Sequence, residues 1–185
     1  MRVVAGECKG IPLKSAQGDN TRPTTDKVKE SLFNIIGPYF DGGLVVDLFA
    51  GSGGLGLEAL SRGMDHGIFI EKDNKAFQAL QYNIAKCRYE EQTECYRNDA
   101  MRAVKALIKR DEVIDLIFLD PPYAKIMYYD VIHQLVEANK IAKDGMIICE
   151  HSKQFTLAEA YGDFVCQRTE VYGDIAISIF QTKGE

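Results

Sequence analysis

The chain has 185 residues, enough for one domain with a full core, and its 46% hydrophobic and 26% charged residues exclude global disorder. Five cysteines (Cys8, Cys87, Cys95, Cys149 and Cys166) without C-x-x-C spacing argue against a disulfide framework or zinc site and for reduced thiols in a cytoplasmic protein. The net charge of −5 speaks against a general nucleic-acid coat, but residues 1–29 hold six basic and three acidic side chains. That arm is +3 and the remainder −8, a layout suited to a polyanion bound on one side.

The first residues contain no signal core, and no apolar run is long enough to span a bilayer, so no membrane partner is expected. RVVAGECKGIPLKS (2–15) reads as a short hairpin turning over Gly6 to Gly10, and AQGDNTRPTT (16–25) as a polar loop. From Asp26 to Ile36, Val28, Leu32, Phe33, Ile35 and Ile36 fit a helical stripe capped by Thr25 or Asp26. Apolar strand-like runs follow at Leu44–Phe49, Gly67–Ile70, Glu94–Tyr96, Leu116–Leu119 and Met146–Cys149. Helical stretches separate them at Leu55–Ser61, Lys75–Cys87, Met101–Lys109 and Tyr128–Asn139. Such alternation demands crossovers and a mainly parallel sheet. FVCQRTEVYGDIAISIFQT (164–182) instead reads as two antiparallel strands turning at Gly173-Asp174. The expectation is one α/β domain over residues 1–185. A hairpin, loop and helix occupy 1–40, and 41–185 form a doubly wound sheet with an antiparallel C-terminal hairpin.

VVDLFAGSGGLGLEAL (45–60) runs from strand into helix, with Gly51, Gly53 and Gly56 in G-x-G-x-x-G spacing and Glu71 twenty residues after Gly51. That pattern alone fits a dinucleotide enzyme, in which the acid holds ribose hydroxyls. Asp47 points elsewhere. Ending the first strand, its carboxylate would repel a pyrophosphate docked on the helix amides. It would attract the sulfonium and amino group of S-adenosylmethionine, which carries no phosphate. At the ends of the next strands, Glu71 can accept from the ribose hydroxyls with Lys72 beside it, and Asp99 from the adenine amine. The Ala100 backbone can pair with the ring edge, and Asp99 is also placed to cap the following helix. S-adenosylhomocysteine would be the product.

Asp120-Pro121-Pro122-Tyr123 ends a buried strand in an acid, a rigid elbow and a flat ring. An exocyclic base amine is a poor methyl acceptor because its lone pair is delocalised. The Asp120 carboxylate and the Pro121 carbonyl can draw its hydrogens out of conjugation, and Tyr123 offers a stacking face worth about 1–3 kcal/mol. A D-P-P run alone often marks only a helix start; its pairing with the glycine loop on one sheet edge favours amine methylation. His66, His133 and His151 are too dispersed for a metal site, and no cysteine is placed as a nucleophile beside the elbow.

RVVAGECKGIPL, TRPTTDKVKESLFNII, DLFAGSGGLGLEALSRG, DPPY and VYGDIAIS occur in the order seen in the RsmD family, which they resemble over nearly the whole chain. The resemblance implies a Rossmann-like methyltransferase acting from S-adenosylmethionine on the exocyclic N2 amine of a guanine in 16S ribosomal RNA. By that resemblance Asp47, Gly51, Gly53, Glu71 and Asp99 contact the cofactor, and Asp120, Pro121 and Tyr123 hold the target amine. Arg22 and the helix from Asp26, with Lys27 and Lys29, meet RNA phosphate at the entrance. Lys27 and Lys29 stand where the family carries arginine, which removes the bidentate fork. The target must be unstacked or looped out, so a folded RNA or a small-subunit assembly intermediate is the expected partner of a monomeric enzyme. The rival readings are a DNA adenine or cytosine amino-methyltransferase, a nucleotide-dependent oxidoreductase, and a non-catalytic RNA-binding module.

Overall fold

The structure, a computed structural model, describes residues 1–16, 25–122 and 125–184. Helix α1 (Asp26–Ile36) is followed by alternating strands and helices: β1 (Leu44–Asp47), α2 (Gly54–Ser61), β2 (His66–Ile70), α3 (Asn74–Lys86), β3 (Thr93–Tyr96), α4 (Ala100–Ile108), β4 (Ile114–Leu119) and α5 (Val131–Glu137). Four strands close the chain: β5 (Ile141–Ser152), β6 (Ala160–Tyr161), β7 (Phe164–Tyr172) and β8 (Ile175–Thr182). They form one sheet in the order β3-β2-β1-β4-β5-β8-β7-β6. The first five strands in that order are parallel, and β8, β7 and β6 run antiparallel. The strand order reverses between β1 and β4, and in doubly wound sheets ligands bind outside the carboxyl ends of the strands at that reversal.

Side-chain alternation divides the core into two layers. Val45, Leu116, Phe118, Ile148 and Ile177 face α1, α2 and α3, where Leu32, Phe33, Leu57 and Leu80 meet them. Val46, Ile117, Leu119, Ile147 and Cys149 face α4 and α5. Helix starts are set by local capping: Thr25 accepts from Val28 N at 3.3 Å, Asp73 from Ala76 N at 2.9 Å, and Asp99 from Met101 N at 3.0 Å.

The N-terminal arm folds back as expected, but as an irregular hairpin. Its only ladder pair is Arg2 with Pro12, supported by bonds from Val3 N to Ile11 O and from Gly10 N to Val3 O. Docking onto α2 takes the place of a longer ladder, because the Glu58 carboxylate accepts from Val4 N at 2.9 Å and Ala5 N at 3.0 Å.

The same Glu58 pairs with Arg62 at 2.9 Å and Lys29 at 3.3 Å, and all three side chains are buried. Lys29, expected at the RNA entrance, therefore sits in the core, and its ammonium also donates to the Arg2 carbonyl. Burial lowers its pKa, and Glu58 offsets part of that. Helical periodicity explains the placement, since Lys29 shares the stripe of Leu32, Phe33 and Ile36. Two further differences are local. Only Val131–Glu137 of the expected 128–139 helix is α-helical, preceded by a 3-10 turn at Ile126–Tyr128, and β5 is longer than expected at both ends. Among the described residues no helix is long and apolar enough to cross a membrane.

Candidate active site

The loop between β1 and α2 is held in place by its neighbours. Leu48 N donates to Phe118 O at 3.1 Å and Ala50 N to Ile70 O at 2.9 Å, tying the loop to the strands on either side. Glu71 accepts from Gly51 N through Oε2 and from Asp73 N through Oε1, each at 2.7 Å. Buried Asn83 of α3 donates to Ser52 O at 2.8 Å and, through the same amide, to Lys14 O at 2.9 Å. The three glycines have separate tasks. Gly51 has φ +56, and a Cβ there would point into open space, leaving room for a ligand against the backbone. Gly53 (φ +94) caps α2 tightly against Leu80, and a Cβ on Gly56 would lie 2.3 Å from the Phe69 ring, so these two serve helix placement.

Asp47 and Asp120 face the same side of the sheet. Asp47 follows Val45 in alternation, Asp120 follows Phe118, and Val45 and Phe118 share one core layer. Asp47 pairs with Phe118, so Asp120 lies two residues further along the adjacent strand, roughly 8 Å away between Cα atoms. Asp47 is 2% exposed, and its Oδ1 is the buried side-chain polar atom that lacks a hydrogen-bond partner among the described residues. Burial raises its pKa to about 7, with the Glu71 charge adding and the Phe49 and Gly56 amides partly offsetting. Asp120 is half-buried, and burial, then the charges of Glu150 and Asp47, hold its carboxyl well above the ordinary range. The site is thus a desolvated cluster of acids whose orphaned acceptor suits a positively charged or donor-bearing ligand.

Of the other expected cofactor residues, Glu71 directly follows β2, Asp99 lies three residues past the end of β3, and Lys72 is exposed beside Glu71. Asp99 caps α4, and Ala100 is the buried first residue of that helix. These residues fit S-adenosylmethionine: Asp47 for the cationic end, the space over Gly51 for the body, and Glu71 with Asp99 for the nucleoside. They fit a pyrophosphate poorly, because the buried Asp47 carboxylate lies at the start of that loop. Pro121 follows Asp120 and is half-buried, and Tyr128 meets Phe49 of the glycine loop edge-on at 5.4 Å. Tyr123 and Arg22 lie outside the described residues. Exposed Lys27 lines a surface groove of about 620 Å³ with Ser31, Asn34, Arg168 and Glu170. Sequence reasoning missed two residues. Asn83 is a polar residue on the apolar face of α3, and Glu150 continues the acid-at-strand-end pattern one residue beyond the expected limit of β5.

A mainly parallel sheet with this strand order, an antiparallel C-terminal pair and acids around a glycine loop define a Rossmann-like methyltransferase. Residues 1–181 match the model of the family described as "Conserved hypothetical protein 95", the RsmD family that the motifs resemble, and the chain belongs to it. It is 48% identical over 184 residues to the Bacillus subtilis protein named "Putative rRNA methyltransferase YlbH", covering 100% of both chains. It is 29% identical to "Ribosomal RNA small subunit methyltransferase D" of Escherichia coli K12, over 100% of this chain and 91% of that one. Among solved structures, "Putative methyltransferase yhhF from Escherichia coli" superposes with a TM-score of 0.83 and 30% identity, covering 100% and 99% of the two chains.

Proposed function

We propose that the protein methylates the exocyclic N2 amine of a guanine in small-subunit (16S) ribosomal RNA, with S-adenosylmethionine as donor. The observation that carries this reading is the buried Asp47 carboxylate on the same sheet face as Asp120, beside a glycine loop with open space over Gly51. When bound, S-adenosylmethionine supplies a methyl carbon on a positively charged sulfur that departs as a neutral thioether. Asp47 balances that positive charge, and Glu71 and Asp99 orient the nucleoside. Asp120 and the Pro121 carbonyl accept hydrogen bonds from the amine and turn its lone pair out of conjugation. Asp120 or water then takes the proton that the methylated amine releases. Exposed Lys27 provides positive charge on the groove side, and Arg22, outside the described residues, is proposed to meet RNA phosphate as well. The names of the relatives support ribosomal RNA as the substrate class.

The test is methyl transfer from labelled S-adenosylmethionine to small-subunit RNA, with the modified nucleotide mapped in RNA from cells with and without the protein. One N2-methylguanine that disappears with the protein is the expected result. Label on DNA in preference to RNA, or on a ring carbon, or tight NAD binding in place of S-adenosylhomocysteine, would overturn the reading.

A further inference from the structure

We propose that Glu150 selects guanine by accepting its ring N1–H while Asp120 holds the adjacent exocyclic amine. The inference rests on the methylation reading above and names the part of the site that reads the base.

Strand register sets the geometry. Leu119 pairs with Cys149 across parallel strands β4 and β5, so the next residues, Asp120 and Glu150, stand side by side. Phe118 and Ile148 belong to one core layer, and by alternation Asp120 and Glu150 project to that same side. Adjacent strands are about 4.8 Å apart, which brings two neighbouring side chains within reach of one base edge. Glu150 is held firmly for this task. It pairs with Ile177 of β8, and its carbonyl accepts from the buried Tyr129 hydroxyl. Glu150 is half-buried. The charge of Glu150 also bears on Asp120 directly, as expected for carboxylates that share one pocket.

Base chemistry then discriminates. Guanine presents two neighbouring donors, the ring N1–H and the N2 amine. Adenine and cytosine present a ring acceptor beside their amine. An ionised carboxylate only accepts. Two adjacent carboxylates therefore match guanine, whereas the second would face a lone pair on adenine or cytosine. Enzymes that read an extruded base do so by hydrogen bonds along this edge. A donor edge also relieves the repulsion between two carboxylates in a site with little water.

The test replaces the mapped target guanine in reconstituted small-subunit RNA with 2-aminopurine, which keeps the 2-amine but has a lone pair at N1. The wild-type enzyme is expected to prefer guanine in kcat/KM by on the order of 100-fold or more. Glu150→Gln, whose amide can donate to that lone pair, is expected to lose rate on guanine, gain on 2-aminopurine and bring the ratio within about tenfold. Unchanged S-adenosylhomocysteine binding and thermal midpoint would show that the variant keeps its fold. The proposal is overturned if the wild-type enzyme uses both bases equally, a result that needs no variant, or if Glu150→Gln keeps the full guanine preference. Failure of the wild-type enzyme to methylate the guanine RNA would instead remove the reading beneath it.

Discussion

Glu71 accepts the Gly51 amide at 2.7 Å, so the acid at the end of β2 shapes the glycine loop at the end of β1. Its second oxygen accepts from Asp73 N at the start of the next helix, also at 2.7 Å. Carboxylate oxygens have lone pairs to spare after one bond each, so the same group can receive ribose hydroxyls. Glu71→Ala removes the loop anchor and the ribose acceptor together. The expected outcome is S-adenosylhomocysteine affinity reduced by at least about tenfold with a smaller loss of thermal stability. Calorimetry and a melting curve measure the two, and wild-type affinity in the variant would take Glu71 out of the cofactor site.

Burial of the Asp47 carboxyl is expected to make the ligand-free protein less stable at neutral pH, a cost that the proposed cationic ligand would offset. The pKa of that carboxyl rises from 3.8 to about 7 in the fold. As pH climbs through that interval the unfolded chain ionises and the folded one resists. Stability falls between about pH 4 and pH 7 and stays at the lower level above it. Asp47→Asn removes that penalty and is expected to stabilise the ligand-free protein at pH 8 by at most about 4 kcal/mol, with little change at pH 4. Cofactor binding moves the opposite way. Wild-type affinity for S-adenosylmethionine rises through about pH 7 as Asp47 ionises, and the asparagine variant binds weakly at every pH. Denaturation and calorimetry at pH 6 and pH 8 separate the two trends.

Glu58 carries four interactions at zero exposure: the Val4 and Ala5 amides, Arg62 and Lys29. Removing the acid leaves two buried cations with no counter-charge. Breaking a buried pair from one side costs about 3–5 kcal/mol. Glu58→Ala is expected to lose that much in chemical denaturation and to speed amide exchange at Val4 and Ala5, which it no longer anchors. Retention of both protection and stability would show that the arm is held by its apolar residues alone.

The doubly wound sheet was legible because buried parallel strands read as apolar runs, and acids at their ends marked the ligand edge. Asp47 ends β1, Glu71 and Asp120 directly follow β2 and β4, and Asp99 lies three residues past β3 as the cap of α4. What escaped followed from treating charge as surface. Lys29 lies on the same helical stripe as Leu32, Phe33 and Ile36, a periodicity that outweighs the preference of lysine for water once Glu58 is at hand. Glu150 escaped because β5 continues past its apolar stretch, held by pairing with β8 that no local pattern reveals. The two-residue β6 is likewise fixed by non-local partners, pairing with β7 and packing Tyr161 against His133 and Phe180.

Asp120 is the residue on which turnover depends in the proposed chemistry. Burial, and then the charges of Glu150 and Asp47, keep its pKa high, so it takes a proton more readily than an ordinary carboxylate. To draw a hydrogen from the target amine it must be ionised, and the rate is expected to fall on acidification at a pH well above the usual carboxylate range. Asp120→Asn keeps the shape but offers the amine a weaker, neutral acceptor. Single-turnover rates at saturating S-adenosylmethionine should drop by about 100-fold or more in Asp120→Asn and Asp120→Ala, and the acid limb of the pH profile should vanish. Cofactor affinity should stay within a few-fold of wild type, because the cationic end is assigned to Asp47. A variant that turns over within tenfold of wild type would place the amine elsewhere, and one that loses cofactor as fast as it loses rate would make Asp120 part of the donor site.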